Sequence, residues 1–453
     1  MGGGTPSKSN ARFWDGEIPW VSPKDMKSDH IFDAQDHISA AALEGSATRL
    51  IPSGALLMVV RGMILAHSFP TAITRAAVAI NQDMKALVPF RADLGPYLLT
   101  LTKGIKSRVL ELVERSTHGT CKLPTGALLN LPIALPPLAE QRRIVARVDE
   151  LMGLLDRLEA AREARDRTRL AARDAALAAL MQATTPDEVE LAWTRIAGRL
   201  DDLVRDPSDI SALRRVVLGL AVRGHLVGRV QDAEDAELTL RRLGVSARAI
   251  ERGAYDVPAG WTWCSLESLC THVIDCLHST PSYSTDGYPA IRTADVVPGR
   301  VLLAGARKVS VDCYRERVAR LEPLPNDILY SREGERLGIA ALVPPDTKLC
   351  LGQRMAHLRV SPAIDPAYLM WFLNAPAGYS QATEGTGGST SPHVNMAKIR
   401  RFAIAVPPLP EQHRIVAKVD ELMALLDRLE ARLTAARETQ AAFAAAAVHH
   451  LDA

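Results

Sequence analysis

The residues best suited to chemistry are few, and their spacing argues against a catalytic centre. The six cysteines, Cys121, Cys264, Cys270, Cys276, Cys313 and Cys350, form no CxxC pair. Cys276 and His278 are neighbours, but that spacing fits no common zinc pattern. The run Gly385-Thr386-Gly387-Gly388-Ser389-Thr390 is glycine-rich, yet it lacks the lysine of a phosphate-binding loop and has no strand–helix frame around it. Asn130-Leu131-Pro132-Ile133 is not the Asn-Pro-Pro-aromatic motif of a base methyltransferase, no carboxylate-and-lysine nuclease site is evident, and Pro345-Asp346 stands alone and reads as a solvated turn. The sequence therefore predicts no catalytic residue, no metal site and no cofactor.

The elements behind those residues are more informative than the residues themselves. A chain of 453 residues favours two or more domains, and 47% hydrophobic with 23% charged residues suffices for ordinary soluble cores. The formal net charge is only +2, and residues 1–135 carry fourteen Lys/Arg against eleven Asp/Glu. A strongly basic domain is the usual electrostatic footprint of a nucleic-acid binder, so composition alone does not suggest one. The start, MGGGTPSKSN, does not read as a secretory signal, and no apolar run approaches the ~20 residues a spanning helix needs. Reduced, mostly buried thiols and a cytoplasmic location are the expectation.

The dominant feature is an internal duplication. PPLAEQRRIVARVDELMGLLDRLEA (Pro136–Ala160) returns as PPLPEQHRIVAKVDELMALLDRLEA (Pro407–Ala431), with 21 of 25 positions identical at an offset of 271. The same offset carries Arg61 onto Arg332, Gln82 onto Gln353, Met84 onto Met355 and Tyr97-Leu98 onto Tyr368-Leu369. Nearer the front the register slips, but Thr5-Pro6-Ser7, Asp15-Gly16, Pro19 and Asp25 parallel Thr280-Pro281-Ser282, Asp286-Gly287, Pro289 and Asp295. Two units thus share nearly identical rods and have diverged globular parts, so the rods do one job while each globular part has its own target.

Each rod begins after a Pro-Pro, which ends the preceding strand, with Glu140 or Glu411 in its first turn where the helix dipole favours an acid. Ile144, Val148, Leu151, Leu155 and Leu158 recur at heptad spacing, as do Ile415, Val419, Leu422, Leu426, Leu429 and Leu433. Ala-rich sequence extends the helices to Met181 and Val448, roughly 60 Å each at ~1.5 Å per residue. Pairing of the rods with each other in antiparallel fashion is expected; packing of each on its own globular part is the alternative. Between them, Glu188–Val204 and Ile210–Val222 read as amphipathic helices, Gly224 as a helix stop, and Asp232–Glu237 as a solvated acidic loop. In the globular parts, Ala55–Val60, Ile328–Ser331 and Ala290-Ile291-Arg292 read as short strands flanked by turns at Pro325-Asn326-Asp327 and Asp286-Gly287, with few runs long enough for helices.

These residues carry a family likeness. GGGTPSKSN…FWDGEIPWVSPKDM, and VPAGWTW…DCLHSTPSYSTDGYPAIRTADV from Val257, resemble the starts of target recognition domains in type I restriction–modification specificity subunits. The twofold PPLxEQxxIVxxVDELM motif resembles the shared regions closing each such domain, and LRRVVLGLAVRGHLV (Leu213–Val227) is similar to another family segment. One departure stands out: the second copy opens with Val257–Leu269, a Gly-Trp segment leading into a strand, and the first has no equivalent before Gly2, so either the start is placed too late, which is the expectation, or the first domain lacks an edge segment.

The resemblance implies an α+β chain: two mixed α/β target recognition domains separated by two long helices forming an antiparallel coiled coil, in a pseudo-twofold internal repeat. The expected boundaries are 1–135 and 257–406 for the recognition domains, 136–184 and 407–450 for the helices, and 185–256 for a helical connector. The implied function is a non-catalytic DNA-reading subunit for an asymmetric bipartite site. Its implied partners are double-stranded DNA, two methylation subunits and nuclease–translocase restriction subunits, which carry out adenine methylation or restriction. Arg, Lys, Asn and Gln read base edges and small hydroxyls hold phosphates. The candidates are Thr5, Ser7, Lys8, Ser9, Asn10, Lys24, Arg61 and Gln82 in the first domain. In the second they are His278, Ser279, Thr280, Arg292, Arg332, Gln353, Arg354, Ser389 and Thr390, with the Gly385–Thr390 run expected as a loop before the last strand. Thr5-Pro6-Ser7 could serve only as a turn, and the matched Gln82 and Gln353 could serve the shared fold. The competing readings are a coiled-coil scaffold with two non-DNA binding modules and a free-standing site-specific enzyme.

Overall fold

A computed structural model describes residues 1–115, 120–183, 185–228, 234–245, 253, 255–384 and 392–451. The chain divides into two compact units, Met1–Ala164 and Arg165–Ala453.

In the first unit, β-branched and aliphatic runs build two small four-stranded sheets. One is ordered Asp36–Ile38, Ile18–Val21, Val78–Ile80, Leu50–Ile51; the other His30–Ile31, Thr71–Thr74, Leu56–Val59, Met84–Leu87. Alternate side chains of the second sheet feed different cores, as strand geometry requires. Leu57 packs with Val21, Ile31, Val78 and Ile80, whereas Leu56 and Met58 pack with Leu98 and Leu99 of the helix Gly95–Gly104. The unit ends part-way along the long helix Leu138–Gln182, at Ala164.

The second unit repeats this plan. Its sheets are ordered Cys270–Asp275, Met355–Val360, Ile328–Ser331, Ala340–Leu342, and Tyr283–Ser284, Arg307–Val309, Tyr288–Ile291, Cys350–Leu351. The duplication holds at the level of strand register. Trp20 and Val21 pair in parallel with Ala79 and Ile80, and Ala290 and Ile291 pair in parallel with Cys350 and Leu351. The expected strands at Ala55–Val60 and Ile328–Ser331 form, and Ala290-Ile291 lies in Tyr288–Ile291. Helix is more abundant than the sequence predicted: Gly95–Gly104, Val311–Val318, Pro366–Asn374 and Pro376–Thr383 are short, and their buried residues are not cleanly periodic.

The connector forms Pro186–Ala197, Leu200–Leu203 and Ile210–Val222, so the single helix expected over Glu188–Val204 is broken at Gly198. The Pro186–Ala197 helix starts with a Thr185/Glu188 capping box. Gly224 ends Ile210–Val222 at φ +76°, and the His225 N–H closes back on Leu220 O at 2.9 Å. Part of the expected acidic loop is instead helix: Glu237 lies in Ala236–Arg242, where Ala236 and Leu240 are buried in the main core. The loop's residues 232 and 233 fall outside those described.

The second long helix spans Leu409–Leu451, and its heptad seam is divided. Ile415, Val419 and Met423 are buried in the core of their own recognition domain, and Leu426, Leu429 and Leu433 lie against the connector. Ion pairs Arg214–Asp427, Arg214–Glu430 and Arg437–Asp206 show this helix running antiparallel to Ile210–Val222. The final turns of the first long helix run parallel to it, as Arg169–Asp209 and Arg223–Met181 show. Between Arg165 and Gln182, then, the two rods have opposite senses and share a connector core, with Leu177 and Leu180 buried beside Leu213 and Val216. On the first helix Leu151, Leu155 and Leu158 are exposed.

Candidate nucleic-acid interface

In the second domain the strand Cys270–Asp275 delivers the chain into a loop that carries His278, Ser279 and Thr280 to the surface. Three groups hold that loop. The Asp275 carboxylate meets Arg332 Nε at 3.1 Å and His278 Nε2 at 3.2 Å. Gln353 Nε2 donates to His278 O at 2.5 Å. Arg317, from the helix Val311–Val318, donates to Leu351 O at 2.7 Å, to Leu277 O at 3.2 Å and to Ser279 O at 3.3 Å. Arg354 follows at φ +68°, a conformation uncommon outside glycine, with its exposed guanidinium 3.4 Å from Glu333.

His278, Ser279, Thr280, Arg332, Gln353 and Arg354 are thus brought together. Only His278, Ser279, Thr280 and Arg354 are exposed; Arg332 is buried and serves the loop from beneath. Arg292 sits beside Gly352, but its fork is closed on Asp295, with both contacts at 2.9 Å. That hydrogen bonding raises the Arg292 pKa further and stiffens the side chain. Ser389 and Thr390, with the whole Gly385–Thr390 run, lie outside the described residues.

The first domain uses the same device. Thr5 Oγ1 donates to Gln82 Oε1, so the matched glutamines Gln82 and Gln353 each hold their domain's leading loop. Ser7 and Ser9 share a hydroxyl hydrogen bond at 2.8 Å, and together with Lys8 form an exposed tip. Asn10 is spent on a cap, accepting the Arg12 N–H at 3.2 Å. Arg61 lies 4.0 Å from Asp83 and is about half exposed, whereas its counterpart Arg332 is buried. Lys24 pairs with Asp36 at 2.8 Å, and that hydrogen bond raises its pKa.

Sequence reading missed Arg317 and Asp275, the residues that shape the second loop. The partners of Arg317 lie 34 to 40 positions away, and Asp275 meets Arg332 across 57 positions as well as the nearby His278, so no local pattern marks their joint role. Cys121, Cys264, Cys276 and Cys350 are buried, Cys270 and Cys313 partly so, and burial pushes Cys264, Cys270 and Cys350 up to about 12. Among the described residues no group of three His, Cys, Asp or Glu could hold a metal ion, and no helix is long and apolar enough to cross a membrane.

Comparison with known proteins bears on this architecture. The Escherichia coli "type I restriction enzyme EcoR124I/EcoR124II specificity subunit" is 35% identical over 150 residues, covering 33% of this chain and 37% of that protein. The E. coli "type I restriction enzyme EcoEI specificity subunit" is 24% identical over 370 residues, covering 73% of this chain and 60% of that protein. The matches therefore span less than two thirds of these relatives' own length. Among solved structures, the HsdS subunit from Thermoanaerobacter tengcongensis aligns at a TM-score of 0.45 and 17% identity, over 92% of this chain and 85% of that one. The family described as "Type I restriction modification DNA specificity domain" matches residues 1–165 and 314–436, well over half of the chain, and the chain belongs to that family.

Proposed function

We propose that this chain is the specificity subunit of a type I restriction–modification complex. It reads an asymmetric, bipartite DNA site and is itself non-catalytic. The observation that carries this reading is the pairing of a near-identical rod sequence with two diverged loop clusters built on one strand register. Two different readers on one repeated frame suit two unlike half-sites, whereas a homodimer with identical readers takes a palindrome.

The recognition domains are assigned to 1–135 and 257–406, the rods to 136–184 and 407–450, and the connector to 185–256. Exposed His278, Ser279, Thr280 and Arg354, and the Ser7–Ser9 tip with Lys8, are the groups placed to meet base edges and phosphates. Arg61, Gln82, Arg332 and Gln353 support the loops behind them. The rods run antiparallel as a spacer fixing half-site distance. The leucines exposed on the first rod, Leu151, Leu155 and Leu158, suit docking of two methylation subunits, to which restriction subunits add. The methylation subunits would take the target adenine out of the duplex, since that chemistry cannot reach a stacked base. A cytoplasmic setting belongs to this reading and is consistent with six scattered cysteines that form no CxxC pair.

The test is selection from randomised duplexes by the chain assembled with its methylation subunits. The reading expects two short defined blocks separated by an undefined spacer of constant length. A continuous or palindromic motif would contradict it.

A further inference from the structure

In each recognition domain a pair of parallel strands ends beside the leading loop. Ile291 pairs with Leu351, and Val21 with Ile80. The residue after each pair closes it with the same backbone bond: the Gly352 N–H donates to Ile291 O at 2.7 Å, and the Asn81 N–H to Val21 O at 3.0 Å. Arg292 in the second domain therefore stands where Ser22 stands in the first, and Gly352 where Asn81 stands. An aspartate three residues on anchors each of them. Asp25 accepts from the Ser22 N–H and Oγ, and Asp295 accepts the Arg292 N–H, all at 2.9 Å.

Beyond that shared anchor the two positions diverge. Ser22 is buried, with its hydroxyl engaged by Asp25. Arg292 is partly exposed, and its Nε and Nη2 donate to the two oxygens of the buried Asp295 carboxylate, each at 2.9 Å. That contact occupies the side edge of the guanidinium. Among the described residues Nη1 has no hydrogen-bond partner, so Nη1 and the second N–H of Nη2 keep two parallel donors on the end edge. Gly352 makes room for this side chain: a Cβ there would lie 2.9 Å from Arg292 Cγ. The arginine also adjoins the reading loop, because Arg317 ties the Leu351 carbonyl to those of Leu277 and Ser279.

Two parallel donors on a fixed plane match one base. In the major groove guanine presents O6 and N7 side by side, whereas adenine sets one acceptor beside an amino donor, thymine has a single O4 acceptor and cytosine presents a donor. A guanidinium has no acceptor with which to meet those amino groups. A phosphate could take the same two donors, but the Asp295 carboxylate offsets the positive charge that draws a phosphate in.

We infer that Arg292, oriented by Asp295 and given room by Gly352, reads a guanine in the second half-site, and that Ser22 makes no such contact in the first. This rests on the proposed DNA-reading function and names the base that one residue selects.

The test selects randomised duplexes with the chain assembled with its methylation subunits, comparing the native chain with Arg292→Ala and Arg292→Gln. The native chain should require guanine at one position of the block that residues 257–406 specify. Both variants should lower that preference about tenfold or more and leave the other positions and the first block unchanged. The unchanged first block and an unchanged circular-dichroism melt verify folding. Asp295→Asn, which keeps an acceptor for the residue 292 N–H, should weaken the same position alone. A two-block motif with no guanine in the second block overturns the inference and leaves the functional reading standing. So does a guanine preference that survives in both arginine variants, or a loss spread over the whole second block. Weakening that is uniform across sequences, with a shallower salt dependence, would mark a phosphate contact and overturn it too. A continuous or palindromic motif overturns both.

Discussion

Asp209 fastens the end of the first rod to the connector, and removing its carboxylate should release that rod locally. The side chain is fully buried. Its Oδ2 accepts from Arg169 at 2.7 Å, from the Arg205 N–H at 2.9 Å and from the Asp206 N–H at 3.0 Å, and its Oδ1 accepts from Arg173. Burial alone would push the Asp209 pKa up; the two backbone N–H groups and Arg169 outweigh it and hold the group below the usual carboxylate range. Asp209→Ala would remove the buried carboxylate shared by two guanidinium groups only 14% and 13% exposed, leaving Arg169 with Leu203 O and Arg173 with the exposed Asp174, and would leave two backbone donors without their acceptor. Breaking one side of such a buried pair costs about 3–5 kcal/mol. At ~1.4 kcal/mol per decade that is a loss of at least about a hundredfold in the protection of residues 165–182 against hydrogen exchange, read by mass spectrometry. Asp174→Ala is the control. It removes a 63% exposed partner of Arg173, and surface pairs contribute at most about 1 kcal/mol. If Asp209→Ala changed protection by less than tenfold, or no more than Asp174→Ala, the clamp would not hold the rod.

Four further outcomes follow from the geometry. Asp327 is buried, which raises its pKa, but hydrogen bonds from His357, Arg359 and the Leu324 N–H overcome this and bring it down to about 2. Against an unfolded value of ~3.9, its contribution of about 2–3 kcal/mol is present above pH ~4 and is lost as pH falls toward ~2; acid unfolding of Asp327→Asn should lack that step. Gly224→Ala should destabilise by more than about 1 kcal/mol in urea titration, because φ is +76° and the new Cβ would lie 2.5 Å from Pro258 Cγ. Gly153→Ala, in open space on the first rod and already alanine at the matching Ala424, should stabilise by up to about 1 kcal/mol. On the proposed function, Arg317→Ala frees the 277–279 loop and should relax selection in the second half-site at least tenfold while leaving the first unchanged, measured by competition with half-site variants.

The repeat made much of the fold legible. A constant offset carried Gln82 and Gln353 to equivalent jobs, and the heptad spacing located both long helices to within a few residues. What the spacing could not reveal was which surface each heptad position meets. Ile415 and Leu429 belong to one seam, yet one packs in a recognition core and the other on the connector. Periodicity encodes a buried stripe, not the identity of what covers it. The candidate site was partly legible for the same reason: residue type flagged Arg292 and Arg332 as base readers, but the carboxylates that engage them, Asp295 and Asp275, decide their use. Arg317 was invisible because its value lies in three carbonyls brought near only by folding.

On the proposed function, two independent readers are mounted on one repeated frame. The most direct test exchanges residues 257–406 for the corresponding domain of a relative and maps methylated adenines across the genome of cells carrying the chimera and its methylation subunits. One block of the bipartite motif should change while the other block stays as it was. A motif that changes in both blocks, or that has only one, would contradict the account.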